Sequence, residues 1–208
     1  HKLVMMSIDR LYDLQKELED FRNTEELNEF QKWIFSDIYQ FELPEIGFTA
    51  RSLILIAVPH PMYVNVIIHY QGREYPTRGL AAPDMDVVNT YISQVAKEAG
   101  QQVHEIEHFP LKRLAVQSGL STYGRNNVTY IEEYGSNLSY TAYVSNAVSE
   151  EDTWRPMCHA KICDTCNHCI STCPTGAIRP ERFLIDNERC LSCLNEGGGE
   201  FPDWLPKD

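Results

Sequence analysis

Residues 163–174 read Cys-Asp-Thr-Cys-Asn-His-Cys-Ile-Ser-Thr-Cys-Pro. This is the spacing C-x2-C-x2-C-x3-C-P, and it leaves the segment little freedom. Three thiolates two residues apart must share one tight loop, which can wrap three corners of a 4Fe–4S cube. The fourth is carried past the loop toward Pro174, and in two-cluster proteins of this spacing it ligates the other cluster. Cys163, Cys166, Cys169 and Cys173 are therefore read as iron–sulfur ligands. Structural zinc prefers two separated pairs, which Cys166/Cys169 and Cys190/Cys193 could supply. A run of four cysteines closed by a proline fits zinc poorly.

The chain holds seven cysteines among 208 residues, and all of them fall between Cys158 and Cys193. A disulfide scaffold would spread its cysteines along the fold. This crowding points to inorganic ligation in a reducing compartment, and the cytoplasm is the expected location. A second 4Fe–4S cluster needs Cys173 and three more thiolates. Cys190 and Cys193 supply two; the remainder is either Cys158 or ligands beyond Asp208, and the second is the expectation. The chain opens on His1 and stops soon after Cys193, so it is read as a piece of a longer protein whose cluster module is truncated. His159 and His168 are read as exposed neighbours of the ligands rather than as ligands.

Eighteen basic residues face 30 acidic ones, a net charge of -12. Phosphate backbones need a dense basic face, so general nucleic-acid binding is excluded, though a local basic pocket is not. No apolar run approaches the roughly 20 residues that span a bilayer, so no membrane partner is expected.

Upstream of the cysteines the pattern is that of a packed domain. Ile8, Leu11, Leu14, Leu18 and Phe21 recur at helical spacing, and Asn23 or Thr24 would cap a second helix through Ile38. Ser52–Val58 and Tyr63–Tyr70 read as strands, the latter ended by the turn Gln71-Gly72. Asp84 opens a helix that Gly100 ends; residues 102–107 read as a strand, and a short helix from Leu111 stops at Gly119. Two strands flank a Tyr134-Gly135 turn. The expected fold is an α/β (mixed α+β) domain followed by a small ferredoxin-like iron–sulfur module. Residues 1–42 would be N-terminal helices, 43–150 the α/β domain carrying a reductive site, and 151–208 the cluster module.

Several stretches in order carry a resemblance. Leu114 to Ile131 reads Leu-Ala-Val-Gln-Ser-Gly-Leu-Ser-Thr-Tyr-Gly-Arg-Asn-Asn-Val-Thr-Tyr-Ile; Glu133-Tyr-Gly-Ser136 follows; then comes the cysteine run ending Cys-Pro-Thr-Gly-Ala-Ile, and Asp186-Asn-Glu-Arg-Cys190. Together these resemble epoxyqueuosine reductases, double-cluster iron–sulfur enzymes distantly similar to reductive dehalogenases. The resemblance implies two 4Fe–4S clusters and a cobalamin. By position, Cys163, Cys166 and Cys169 would hold one cluster, and Cys173 and Cys190 would belong to the second. Gly119, Gly124, Arg125 and Asn126 match the segment that approaches the corrin ring, with Tyr134, Gly135 and Ser136 expected nearby.

Glu107 stands where the family has its catalytic aspartate and is expected as a buried proton source, with His108 as the alternative. The family's arginine- and tyrosine-rich segment is replaced by Pro76–Pro83, its tryptophan near 123 by Tyr123 and its tyrosine at 193 by Cys193. The expected function is that of an iron–sulfur oxidoreductase fed by an electron-donor protein. Its substrate would be a small molecule or a modified nucleoside. The rivals are a ferredoxin-type carrier docking a redox partner and a zinc-stabilised binding module.

Overall fold

The computed structural model describes residues 2–60, 62–181, 183–197 and 202–205. Its organising element is the apolar run β2 (Ser52–Pro59), which lies between β1 (Lys2–Ser7) and β8 (Leu138–Ser145); β5 (Val103–Ile106) completes a four-stranded sheet in the order β1-β2-β8-β5. Every pairing is antiparallel. The sheet is therefore of α+β type, without the parallel crossovers of a doubly wound fold.

Strand periodicity decides what each face carries. Leu53, Leu55, Ala142, Val144, Met6 and Ile106 share one face, buried against Leu11, Leu14 and Leu18 of α1 (Arg10–Thr24) and against Phe109, Leu114 and Ala115 around α4 (Leu111–Gln117). The helical spacing of the α1 leucines is what makes that stripe. The opposite face carries Thr141 and Tyr143 and meets α3 (Met85–Glu98), whose Asn89 donates to Glu105 Oε2 at 2.6 Å. Thr141 donates to the other Glu105 oxygen at 2.9 Å, and the Tyr143 hydroxyl donates to Asn89 Oδ1. Both ends of α3 match the sequence reading: Asp84 accepts from the Asp86 and Val87 amides, and Gly100 follows the C-terminus at φ +69°.

The N-terminal segment departs from its expectation. Residues 2–7 form an edge strand, and α1 shares the core of the sheet, so the first 42 residues are not helices alone. The second helix starts later than Asn23 or Thr24. Asn28 caps α2 (Glu29–Trp33) in a reciprocal capping box with Gln31, and one π-helical turn (Ile34–Ile38) continues it. The physical reason is that Asn23 and Thr24 are taken up in the last turn of α1, while Asn28 and Gln31 satisfy each other's backbone amides.

Between β2 and α3 a twisted ribbon stands apart, β3 (Met62–Tyr70) paired with β4 (Arg73–Ala81). Its turn has φ +47° at Gln71 and +73° at Gly72, the left-handed pair that matches strand twist. Val64, Val66, Ile68 and Tyr70 line one face with Tyr75, and all five are exposed. Among the described residues no helix is long and apolar enough to cross a membrane.

Candidate functional site

The cysteine segment has little regular structure of its own and is tied to the domain at named points. A short bridge pairs Tyr123, in the two-residue strand β6 (Thr122–Tyr123), with His159. The Tyr123 amide donates to Cys158 O at 3.1 Å, and Ala160 N donates back to Tyr123 O at 2.7 Å. Arg125 Nη2 donates to Cys163 O at 2.8 Å. Cys163 sits in a 3-10 turn (Lys161–Asp164), Cys169 in α5 (His168–Thr172), and Cys173 at its C-terminus; Cys190 opens α6 (Leu191–Glu196), which carries Cys193.

Cys169, Cys173, Cys190 and Cys193 line one cavity of about 450 Å³, together with Pro174 and Ala177. No three His, Cys, Asp or Glu side chains among the described residues converge closely enough to hold a single ion. A tetrahedral zinc site would need sulfurs about 3.8 Å apart. All seven cysteines are free thiols. The donors suit a soft iron–sulfide core. Burial pushes the Cys173 thiol up, but the amides of Ile178, Thr175 and Ala177 and the Thr175 hydroxyl outweigh it and hold the thiol below its ordinary range. Amides aimed at a sulfur are what stabilises a thiolate ligand. Burial raises the Cys193 thiol, and the neighbouring Cys190 raises it further.

Cys193 also accepts a hydrogen bond that sequence reading missed. Asn187 Nδ2 donates to its Sγ at 3.4 Å. Asn187 Oδ1 accepts from Gln31 Nε2 at 3.1 Å, and the same Gln31 nitrogen donates to Ile185 O at 2.9 Å. Gln31 is buried, and its Oε1 accepts from the Asn28 amide in the α2 cap. One side chain thus caps a helix and orients the amide that reaches Cys193. The only signal in the sequence is Gln31 three residues after Asn28 and Asn187 three residues before Cys190.

Gly119 and Gly124, the glycines expected to face a macrocycle, are each accounted for within the chain. Gly119, at φ +84°, follows the Ser118 C-cap of α4, the position where a left-handed residue ends a helix, and an added Cβ would lie 3.7 Å from Thr153 O. At Gly124 a Cβ would come within 2.5 Å of the Tyr130 ring and 2.6 Å of Asn126 Oδ1. Gly119 is favoured by its left-handed backbone, and Gly124 is required by the chain's own packing. The loop does leave Arg125 Nε buried and without a hydrogen-bond partner. Asn126 is held by its own turn, donating to the Tyr130 hydroxyl at 3.0 Å. On this evidence the loop does not fit a corrin ring approaching glycine backbone.

Tyr134 lies under the Lys2 ammonium at 5.8 Å, and Gly135, at φ +63°, closes a turn onto Ile131; Ser136 O accepts from Leu138 N at 3.0 Å. Their partners are therefore the edge strand and the start of β8. Glu107 is corrected as well: its side chain is 78% exposed and its carboxylate ends 3.9 Å from the His108 ring. The strand ends at Ile106, so Glu107 falls in the turn, where His108 adopts φ +62°. The half-buried carboxylate of this region is Glu105.

The fold and the site define a class: an antiparallel α+β domain joined to a cysteine-rich module with iron–sulfur spacing. The chain is similar to epoxyqueuosine reductases, as its motifs imply. The curated protein of that name from Synechocystis sp. is 28% identical over 155 residues, covering 69% of this chain and 51% of that protein. The solved epoxyqueuosine reductase from Streptococcus thermophilus superimposes over 97% of this chain and 56% of its own, with a TM-score of 0.57 at 18% identity. An epoxyqueuosine reductase solved with a tRNA-Tyr epoxyqueuosine-modified stem loop gives a TM-score of 0.60 at 17% identity, covering 97% and 55%. At these identities the structural likeness is one of fold. The chain spans about half the length of these relatives. No protein-family model matches it.

Proposed function

We propose that this chain is the redox part of an oxidoreductase of the epoxyqueuosine reductase kind, working on a modified nucleoside of tRNA. The observation that carries the reading is the cavity shared by Cys169, Cys173, Cys190 and Cys193, with Cys163 and Cys166 on the adjoining loop. Cys163, Cys166 and Cys169 would hold one 4Fe–4S cluster, and Cys173 and Cys190 the second, with Cys193 beside them. When bound, such clusters supply one-electron transfer. The chain's own work is to hold thiolates, donate amides to sulfur and keep water away from the cavity.

The resemblance also implies a cobalamin against residues 119–126. Gly119 is accounted for by its left-handed backbone and Gly124 by internal packing, so the reductive chemistry is proposed without a step through it. The substrate follows from the relatives' name and from the stem loop bound by one of them; the net charge of -12 means that any tRNA contact by this chain is local. The division into a reductive domain to 150, with the first 42 residues joined to its sheet through β1 and α1, and a cluster module beyond is part of the proposal. So are a protein electron donor and a cytoplasmic location.

One observation favours a second reading. The exposed apolar ribbon face of Val64, Val66, Ile68, Tyr70 and Tyr75 suits an electron carrier that docks a redox partner. The experiment starts from anaerobically purified protein, which should carry iron and acid-labile sulfide in near-equal amounts. The reduced protein is then incubated with an epoxyqueuosine-containing tRNA stem loop, and the nucleoside is followed by mass spectrometry. Conversion supports the enzyme; a coloured protein without conversion leaves the carrier; zinc without sulfide removes both.

A further inference from the structure

A second cavity, of about 430 Å³, adjoins the cysteine cavity, and its walls are the aromatic rings of Phe30, Phe35, Tyr39, Phe109, Tyr123 and Phe183. Lys112, Asn127, Ile185 and Cys193 line both spaces, so they form the wall between them. The rings brace one another: Tyr123 and Phe183 meet edge-on at 4.9 Å, and Phe35 and Tyr39 at 5.7 Å. The volume is that of a small-molecule site, and its lining, mostly apolar with six aromatic rings and a few polar groups, is what such sites have.

Its charges are unequal. Arg113 is neutralised by Glu17 and lies over Phe21, 4.9 Å from the ring centre. Lys112 has no such partner: Nζ donates to Asn127 O at 3.3 Å, and no carboxylate among the described residues lies within ion-pairing distance. Lys112 is an exposed residue whose side chain lines both cavities; the surrounding protein lowers its pKa, a change the nearby Cys193 only partly opposes. Asn127, at φ +61°, lines the same wall; its backbone amide donates to Gly124 O at 3.1 Å, and among the described residues its side-chain amide has no hydrogen-bond partner. An ammonium without a carboxylate partner, beside a side-chain amide in the wall of a largely apolar cavity, offers an anion two donors. Among the described residues lining the cavity, Lys112 is the one cation without a carboxylate partner, and it suits a single negative charge.

We propose that this cavity binds a flat, singly anionic small molecule, its ring among the aromatic side chains and its anionic group at Lys112 and Asn127. The binding site stands by itself. That its ligand is the electron acceptor, placed beside Cys193, rests on the function proposed above.

The test uses anaerobically purified protein whose iron content has been measured, and titrates it calorimetrically with 2-naphthoate and with its neutral counterpart, 2-naphthylmethanol. Naphthoate should bind roughly tenfold tighter or better, the worth of a charged hydrogen bond. Lys112→Met should abolish that preference while changing naphthylmethanol affinity by no more than about twofold. Phe183→Ala should weaken both ligands. If Lys112→Met fails to fold, Lys112→Gln gives the same reading. Absent binding, equal affinities in the wild type, or a preference that survives loss of the ammonium overturns the site. A colourless protein that still prefers naphthoate keeps the site and removes the redox reading; a coloured protein that ignores both ligands removes the site alone.

Discussion

Gln31 Nε2 donates to Asn187 Oδ1 across 3.1 Å, joining two residues 156 positions apart in the chain. The bond holds the Asn187 amide with its nitrogen toward Cys193 Sγ. Replacing Gln31 by leucine would remove the α2 capping partner and leave Ile185 O and Asn187 Oδ1 unpaired in a half-buried place. The expected cost is about 2 kcal/mol in urea unfolding. Gln31→Glu keeps the capping acceptor but turns a carboxylate oxygen toward Ile185 O and Asn187 Oδ1, so it should cost at least as much. Equal stability of Gln31→Leu and wild type would show that the contact carries no weight.

Asn187 itself tests the link to the metal. A hydrogen bond to a ligand sulfur favours the reduced, more negative cluster. Asn187→Leu should lower the midpoint potential of the module while leaving iron content unchanged, as followed by a redox titration under nitrogen. An unaltered potential with full iron would show that Cys193 lies outside the ligand set.

Gly124 is predicted to tolerate no side chain. A Cβ there overlaps the Tyr130 ring at 2.5 Å, and overpacking of this kind costs roughly 1–3 kcal/mol. Gly124→Ala should therefore lower the unfolding midpoint, and adding Tyr130→Ala should recover part of the loss. Additive losses in the double variant would argue against the clash.

Much of the scaffold was legible because local rules and tertiary packing agree there. The apolar run of β2 is buried on both faces, and Asp84 and Gly100 close α3 as their chemistry requires. Strand β4 was hidden by Pro76 and Gly79, which a two-stranded ribbon tolerates because it has free edges. The first six described residues gave no strand signal of their own; β1 exists because β2 offers an open edge. At the site, spacing alone marked the cysteines. Spacing showed the helix end at Gly119, but it could not show that Gly124 packs on the Tyr130 ring, that Glu107 faces solvent, or that Gln31 reaches Asn187, since each depends on how the chain packs.

Cys158 should be dispensable for iron. Its carbonyl is engaged with the Tyr123 amide, which places it in the bridge to β6, before the ligand run begins. Cys158→Ala should retain the iron and sulfide content of the wild type. Loss of about half the iron would mean that this chain completes its second cluster from within.

The metal-free protein should show an order of thiol reactivity set by surroundings. Amides of Ile178, Thr175 and Ala177 hold the Cys173 thiol below its ordinary range, whereas burial and Cys190 hold the Cys193 thiol above it. A lowered pKa leaves more thiolate at neutral pH and a raised one leaves less, and the thiolate is the species that reacts. Iodoacetamide at about pH 7 should therefore alkylate Cys173 before Cys193. Raising the pH well above the ordinary thiol value of about 8.5 deprotonates both and should narrow the difference. Peptide mapping by mass spectrometry after short exposures reads the order directly. Faster labelling of Cys193 at neutral pH would show that the amides do not reach the Cys173 sulfur, and with them would go the argument that this turn is built to hold a thiolate ligand.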